Sequence, residues 1–159
     1  MTKKQNKLLL DQLDKKLQAF KSLQTVTPPA TGWVHAIRTG LKMSLRQLGN
    51  RLSIVPQSVK EIEQREKNGS ITLKNLREAG KALDMQLLYG FIPKEESLEK
   101  MIEKRAYEIA KEIVMQTSHS MMLEDQENSK QRIEKAIKER AEEIKNEMPG
   151  YLWDQNLMI

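Results

Sequence analysis

Hydrophobic residues recur at helical spacing over most of the chain, between short stretches rich in proline, glycine or serine. An apolar residue every three or four positions predicts an amphipathic helix over residues 6–24, and its stripe consists of Leu9, Leu13, Leu17, Phe20 and Leu23. Two consecutive prolines, Pro28 and Pro29, stiffen the chain that follows. Residues 1–31 are therefore expected to form an N-terminal helix and an extended linker.

Four shorter helical patterns follow the linker and end near Leu83. The first is expected to turn Trp33 inward. The second opens at Ser44, whose spacing to Gln47 is that of a capping box. The third begins at Pro56, a residue that suits the first turn of a helix. These patterns predict a compact helical domain.

Residues 85–92 are almost entirely apolar and are followed by Pro93. Periodicity cannot separate a buried strand from a helix in so short a run, but the length, the aromatic residues and the closing proline favour a strand. One strand cannot satisfy its own backbone hydrogen bonds, and no second strand pattern is evident. The expected partner is the same strand of a second copy, paired through Leu87, Leu88, Tyr89 and Phe91.

Residues 94–159 predict two further amphipathic helices. The first runs from about Glu95 to Thr117, and Pro149 ends the second. The apolar tail Tyr151–Trp153 is expected to dock on a core or on a partner. The expected fold is therefore all-α and mainly helical, with one short dimerising strand.

Composition excludes several kinds of chemistry. The 159 residues include no cysteine and only two histidines, His35 and His119, which are far apart in the sequence. Disulfides, thiolate catalysis and zinc sites built from several Cys or His ligands are therefore excluded within one chain. No glycine-rich phosphate loop or Ser-His-Asp set occurs, so no catalytic residue, metal or cofactor is expected. No apolar run is long enough to predict a membrane span or a signal peptide, which favours a cytoplasmic protein.

Charge is distributed unevenly along the chain, whose net charge is +5. Residues 1–92 hold 16 Lys and Arg against 7 Asp and Glu, a net charge of +9. Residues 93–159 hold 11 against 15, a net charge of −4. A basic first part suits a polyanion, and an acidic second part suits another protein.

The segment from Met43 to Glu63, MSLRQLGNRLSIVPQSVKEIE, has the residue classes of two helices joined by a tight turn. Gly49 is small where the helices would approach closely, and residues 53–55 form the short connection. The apolar positions expected to clamp the two helices are Leu48, Leu52, Ile54, Val59 and Ile62. This segment resembles the helix-turn-helix of lambda-repressor-like (Cro/cI, XRE) regulators. The resemblance implies a DNA-binding domain over residues 32–93.

In such a domain the start of the second helix faces the base edges of double-stranded DNA. Gln57 can pair with adenine, Lys60 with guanine or phosphate, and Ser58 can donate to either. Glu61 can accept from cytosine or orient a neighbouring cation. Candidates for phosphate contacts, which position a protein without reading sequence, are Lys42, Arg46, Arg51 and Lys67. A homodimer would read a palindromic operator.

Further segments are similar to the family called mobile mystery protein A. They are Gly32-Trp33, Ile37-Arg38, GSITL at 69–73, Leu76-Arg77, ALD at 82–84, LLY at 87–89, Ile92-Pro93, HSMMLEDQ at 119–126 and LWD at 152–154. This resemblance covers nearly the whole chain. It implies a small regulator in the bacterial cytoplasm, associated with the nucleoid, from a mobile element that also encodes a Fic-domain partner.

Fic proteins commonly transfer AMP from ATP to a target hydroxyl, and Fic antitoxins carry an inhibitory helix with the pattern [S/T]-x-x-x-E-[G/N]. Ser120 and Glu124 match its first five positions, and Asp125 departs from the last. The resemblance implies that Glu124 pairs with the Fic arginine that would hold the ATP γ-phosphate. Residues 94–159 would then be the partner-binding, antitoxin-like region. The other interpretation of this motif is an ordinary helix end with solvated acids.

Three functions fit the sequence. The first is a DNA-binding regulator that also inhibits a Fic-domain partner. The second is a stand-alone repressor of a mobile element, whose C-terminal helices serve only oligomerisation. The third is a helical adaptor without a DNA role, which the basic first part disfavours.

Overall fold

The computed structural model describes residues 1–118 and 126–155, and its mainly helical architecture confirms the all-α prediction. The helices are α1 (Lys3–Gln18), α2 (Trp33–Gly40), α3 (Leu45–Leu52), α4 (Pro56–Asn68), α5 (Leu73–Ala82), α6 (Leu98–Thr117) and α7 (Gln126–Glu147). Short 3-10 helices cover Lys21–Thr25 and Gly150–Trp153. The chain divides into two compact units. Residues 22–90 form the central unit, and residues 1–21 with those from 91 onward form the terminal unit.

The central unit packs α2, α3, α4 and α5 around a small apolar core. Its buried members are Val34, Leu48, Val59, Ala79 and Leu83. Further apolar residues pack against them, among them three of the positions expected to clamp α3 and α4, namely Leu52, Ile54 and Ile62. The expectation for Trp33 is wrong, because its side chain is 44% exposed and Val34 points into the core instead.

The connection between α3 and α4 is as short and as tight as the sequence predicts. Ser53 ends α3 in the left-handed region at φ 56°, and Pro56 already begins α4. A Cβ atom added at Gly49 would lie 2.6 Å from the Ile54 carbonyl oxygen, closer than backbone atoms allow. The Ser44–Gln47 capping box is also confirmed. Gly49 therefore allows the sharp return of the chain.

The terminal unit is built on α6 and α7, which bury their apolar stripes against each other. Ile102, Ile109, Ile133, Ile137 and Ile144 are buried in this core. Lys145 near the end of α7 binds Glu103 near the start of α6 at 2.7 Å, so the two helices run antiparallel. This hydrogen bond, together with one from Lys100, holds the pKa of Glu103 below its usual value.

Helix α1 docks on α6 in the same unit. Leu10 packs against the α6–α7 core. The Asp14 carboxylate accepts from the backbone N–H of Leu98 (2.7 Å) and of Glu99 (3.3 Å), two donors that the first turn of α6 leaves free. Regular α-helix ends at Gln18, six residues before the expected end of the apolar pattern.

The C-terminal tail docks on the same core, which is one of the two outcomes that the sequence analysis expected for it. Leu152 is buried there, whereas Trp153 is exposed. The Arg105 guanidinium donates to the backbone carbonyls of Leu152 (Nε, 2.7 Å) and Asp154, and so ties the tail to α6.

Residues 85–92, the expected strand, have no regular secondary structure in the single chain. The physical reason is that no other described segment lies alongside them as a strand, and a strand needs a neighbour for its backbone groups. Leu88 is 70%, Tyr89 60% and Phe91 79% exposed, so three of the apolar side chains of the segment also lack cover.

Candidate nucleic-acid interface

Helix α4 presents two chemically different faces. Val59 is fully buried in the core, and Glu63 and Glu66 turn toward α2 on the same side. Gln57, Lys60, Glu61 and Gln64 on the other side are exposed and follow one another at spacings of three, one and three. This spacing places them on one helical face. The buried face therefore fixes how the polar face is presented to solvent.

Glu63 is the centre of a buried ion-pair cluster beneath that face. Arg38 donates to its carboxylate through Nε (2.5 Å to Oε1) and Nη2 (3.2 Å to Oε2), and His35 Nδ1 lies 2.6 Å from Oε2. Arg38 Nη1 also donates to the Met43 carbonyl at 2.9 Å. Burial raises the pKa of Glu63, but the hydrogen bonds and charges of Arg38 and His35 outweigh it and leave this pKa below its usual value.

A second acid of α4 caps the start of α2. The Glu66 carboxylate accepts from the backbone N–H of Trp33 (2.9 Å) and of Val34 (2.8 Å). Gly32, at φ 88°, precedes α2 with no side chain, and a Cβ atom there would lie 3.0 Å from the Glu66 carboxylate. Two acids on one side of α4 thus bind α2 directly, which resists rotation of α4 about its axis.

The exposed face of α4 surrounds an open depression of about 220 Å³. Its lining residues are Gln57, Lys60, Glu61, Gln64 and Arg65. Three of the four predicted base-contacting residues therefore lie together around one feature. The fourth, Ser58, is half-buried next to Val59. Amide, ammonium and guanidinium groups side by side form the donor set that reads base edges.

The N-terminus of α4 adds one backbone donor to this face. Val55 occupies the N-cap position and makes no side-chain hydrogen bond, and the N–H of Gln57 has no partner among the described residues. By contrast, α1, α3, α5 and α6 each have a side chain that accepts from their first turn. A helix N-terminus with free N–H groups attracts phosphate.

The predicted phosphate contacts divide into two groups. Lys42, Arg46 and Lys67 are exposed, and none of them makes an ion pair with another described residue. Arg51 is instead engaged within the chain, since its Nη1 donates to the Ala82 carbonyl (3.0 Å) and to Asp84 (3.3 Å). Arg51 therefore holds the end of α5 against α3.

Sequence reasoning missed several residues that build this surface. Gln64 and Arg65 extend the exposed face of α4, and continuing the helical spacing from Lys60 and Glu61 by one more turn would have found both. Arg38, Glu63 and Glu66 gave no such signal, because a charged residue on a helix is normally assigned to the solvent side. Arg38 and Glu63 tolerate burial because they pair with each other, and Glu66 finds its partners in the backbone N–H groups at the start of α2.

The predicted inhibitory pair, Ser120 and Glu124, lies outside the described residues. Within the described parts of the chain, no group of three or more Asp, Glu or His residues is placed to hold a metal ion. None of the helices found over those same residues combines the length and the apolar character needed to cross a bilayer.

Comparisons with protein-family models, with curated proteins and with solved structures find no match for this chain. The resemblances to lambda-repressor-like regulators and to mobile mystery protein A therefore rest on the residues that carry them.

Proposed function

We propose that the protein is a DNA-binding transcriptional regulator that inserts α4 into the major groove. The observation that carries this proposal is that α4 has one face held within the fold and an opposite face that is polar and exposed. Glu63 and Glu66 bind one face to α2, while Gln57, Lys60 and Arg65 lie on the other, beside an N-terminus where the Gln57 N–H has no partner among the described residues. A rigidly held helix with a polar face and an open N-terminus suits base reading.

The short α3–α4 connection supports the same function. Ser53–Val55 turns the chain sharply, and Gly49 lets the backbone of the turn approach α3. We therefore take α3 and α4 as the two helices of a helix-turn-helix. In such a motif the first helix crosses the DNA backbone, and Lys42 and Arg46 lie at its start, where they would contact phosphates.

A pair of double variants tests DNA binding. Gln57→Ala with Lys60→Ala should weaken binding to the DNA upstream of the chain's own reading frame, by about 1–3 kcal/mol per lost base contact. Gln12→Ala with Lys15→Ala removes the same two residue types at the same spacing from exposed positions of α1 and should leave affinity unchanged. Fluorescence anisotropy measures both. Equal DNA affinity of the two double variants would mean that Gln57 and Lys60 of α4 do not contact DNA.

A second function is carried by the Ser120 and Glu124 spacing. We propose that Glu124 enters the active site of a Fic-domain partner and pairs with the arginine that would hold the ATP γ-phosphate. Ser and Glu four positions apart share a helix face, as the inhibitory motif requires. A carboxylate–arginine pair shielded from water is a strong, bidentate contact. The acidic second part of the chain supports a protein partner.

Nucleotide transfer from radiolabelled ATP tests the inhibitory role. In the purified complex, Glu124→Gly should release AMP transfer while the two proteins still co-purify. Glu127→Gly alters a neighbouring acid outside the motif and should leave the complex inactive. If the Glu124→Gly complex stays silent while the partner alone is active, Glu124 has no special role. A chain without any Fic partner would be the stand-alone repressor, with its C-terminal helices used for assembly.

The regulator is proposed to work as a homodimer that pairs through residues 85–92. The apolar, exposed side chains of Leu88, Tyr89 and Phe91 support this dimer. A two-fold dimer would present two copies of α4 about 34 Å apart, which matches the half-site spacing of a palindromic operator.

A further inference from the structure

The segment after α5 leaves its backbone groups available to another chain. The main chain turns at Asp84, at φ 57°, and the Met85 N–H donates to the Gly80 carbonyl at 2.8 Å. Beyond this anchor, no backbone group of residues 86–92 bonds to another described residue. An exposed row of free N–H and C=O groups is a template for strand pairing.

The same segment lacks charge. No charged residue and no proline occurs from Met85 to Ile92, and its exposed side chains include Leu88, Tyr89 and Phe91. Uncharged apolar segments of this length, without proline, readily form intermolecular strands. Two like segments can therefore meet without placing like charges against each other.

Charges at the two ends of the segment select the direction and register of the pairing. Asp84 precedes the segment and Lys94 follows it, and both are exposed. Asp84 also contacts Arg51 of its own chain at 3.3 Å, whereas Lys94 makes no ion pair with a described residue. In an antiparallel pair centred on Tyr89, Asp84 stands opposite the partner's Lys94 at both ends. A parallel pair would instead oppose Asp84 with the partner's Asp84, which is repulsive.

Backbone donors agree with this register. Met85 then stands opposite the partner's Pro93, and neither residue can donate, since the Met85 N–H is already used within the chain and proline has none. Antiparallel ladders alternate between hydrogen-bonded and non-hydrogen-bonded pairs. If Tyr89 and the partner's Tyr89 form a non-hydrogen-bonded pair, Met85 and the partner's Pro93 form another. Both missing donors therefore fall where the ladder needs none.

A groove beside the start of the segment offers a place for an aromatic ring. It measures about 280 Å³ and is lined by Arg77, Lys81, Met85, Gln86 and Leu87. In the register centred on Tyr89, Leu87 stands opposite the partner's Phe91, whose ring is 79% exposed. The partner's ring would cover Leu87 and lie beside two cations, which an aromatic face attracts.

We infer that two copies of this chain pair antiparallel through residues 86–92, with Tyr89 on the two-fold axis and each Phe91 in the groove of the other copy. This inference rests on the homodimer of the proposed function but not on DNA binding. The pairing is measured without DNA, so its failure and a failure to bind DNA are separate results.

The chain has no cysteine, so single introduced cysteines can report the register. We would place one cysteine at each position from Leu87 to Phe91 and oxidise each full-length variant. Only the residue on the two-fold axis faces itself, at a Cα separation of about 4.5 Å. Its neighbours would be about 8 Å from their own copies, beyond disulfide reach. Tyr89→Cys should therefore cross-link at least tenfold more than Leu88→Cys or Gly90→Cys.

Glu139→Cys, on an exposed part of α7, sets the background of random collision. Residues 88–91 are exposed and make no backbone hydrogen bond to described residues, so the reduced variants at these positions should melt at the wild-type temperature. Uniform cross-linking along the series means parallel pairing and overturns the inference, and so does a maximum at any other position. Background cross-linking throughout, with a monomer by sedimentation, overturns the dimer itself.

A charge exchange tests the ends of the ladder independently. Asp84→Lys and Lys94→Asp should each weaken dimerisation roughly tenfold, because each creates like-charge pairs, and the double exchange should restore it. Because Asp84 also contacts Arg51 within the chain, melting curves of each variant confirm that it remains folded. Phe91→Lys should also give monomers by placing a third cation at the groove, whereas Trp153→Lys, at another exposed aromatic, should not. No recovery in the double exchange would refute this register.

Discussion

The carboxylate of Glu63 in α4 and the guanidinium of Arg38 in α2 form a buried pair joined by two hydrogen bonds, with Nε 2.5 Å from Oε1 and Nη2 3.2 Å from Oε2. His35 approaches the same carboxylate from the solvent side. The pair lies directly under the polar face that we propose to read DNA. Its integrity therefore determines both the stability of the central unit and the direction of that face.

Replacing one member of this pair should be more harmful than replacing both. Glu63→Leu leaves the buried Arg38 charge without its carboxylate and should cost about 3–5 kcal/mol in the free energy of unfolding. Adding Arg38→Met removes the stranded charge and should recover a large part of that loss. Urea unfolding of the two variants measures the difference. A double variant that is less stable than Glu63→Leu would contradict this account.

The same pair predicts how stability depends on acidity. The pKa of Glu63 lies below its usual value of 4.5 in the folded chain, so its stabilisation is fully present above pH 4.5 and is lost as pH falls through the lowered pKa. Glu63→Gln cannot titrate there. The gap in unfolding free energy between wild type and Glu63→Gln should therefore narrow below pH 4.5. A gap that stays constant down to pH 3 would exclude the ionised carboxylate as its cause.

Gly49 should be intolerant of any side chain. A Cβ atom there meets the Ile54 carbonyl oxygen, and a backbone atom cannot move aside as a flexible side chain can. We expect Gly49→Ala to destabilise the chain by about 1–3 kcal/mol. Gly40→Ala is the matched control, because nothing lies within 4 Å of its Cβ position, and it should be neutral or slightly stabilising. Thermal unfolding that ranks the two variants equally would show that the turn can relax.

The predicted phosphate contacts should separate by their salt dependence. Lys42→Ala and Arg46→Ala should each lower the slope of log affinity against log salt by about one, without loss of stability. Arg51→Ala should instead destabilise the chain, because Arg51 donates to the Ala82 carbonyl and to Asp84. Binding titrations at several salt concentrations, with melting curves for each variant, provide the test. If Arg51→Ala changed the salt slope but left the melting temperature unchanged, Arg51 would be a phosphate contact after all.

Asp14 should matter more than its position on an exposed helix suggests. Asp14→Ala leaves the backbone N–H groups of Leu98 and Glu99 at the start of α6 without their acceptor and should cost about 0.5–2 kcal/mol. Asp11→Ala, one turn earlier on an exposed position of α1, should cost almost nothing. Urea unfolding compares the two. Equal effects of the two substitutions would mean that the Asp14 bonds contribute nothing to stability.

The sequence alone determined the features that depend on neighbouring residues along the chain. The Ser44–Gln47 capping box, the start of α4 at Pro56 and the close approach at Gly49 follow from residue types at fixed short spacings. The core stripes of α6 and α7 follow from helical periodicity in the same way. Local stereochemistry and the exclusion of apolar side chains from water act wherever the chain lies, so a sequence pattern reveals them.

Only the tertiary structure decided what depends on distant partners. Helix α1 contacts the terminal unit through Asp14 and Leu10, and Leu10 does not belong to the predicted apolar stripe. Glu63 is buried because Arg38 pairs with it. Residues 85–92 remain without secondary structure because a strand requires two paired segments, and no second one lies beside them among the described residues. The free energy of a charge or of a free backbone group depends on the groups that face it in the folded protein. Hydrophobic periodicity along the sequence does not identify those groups.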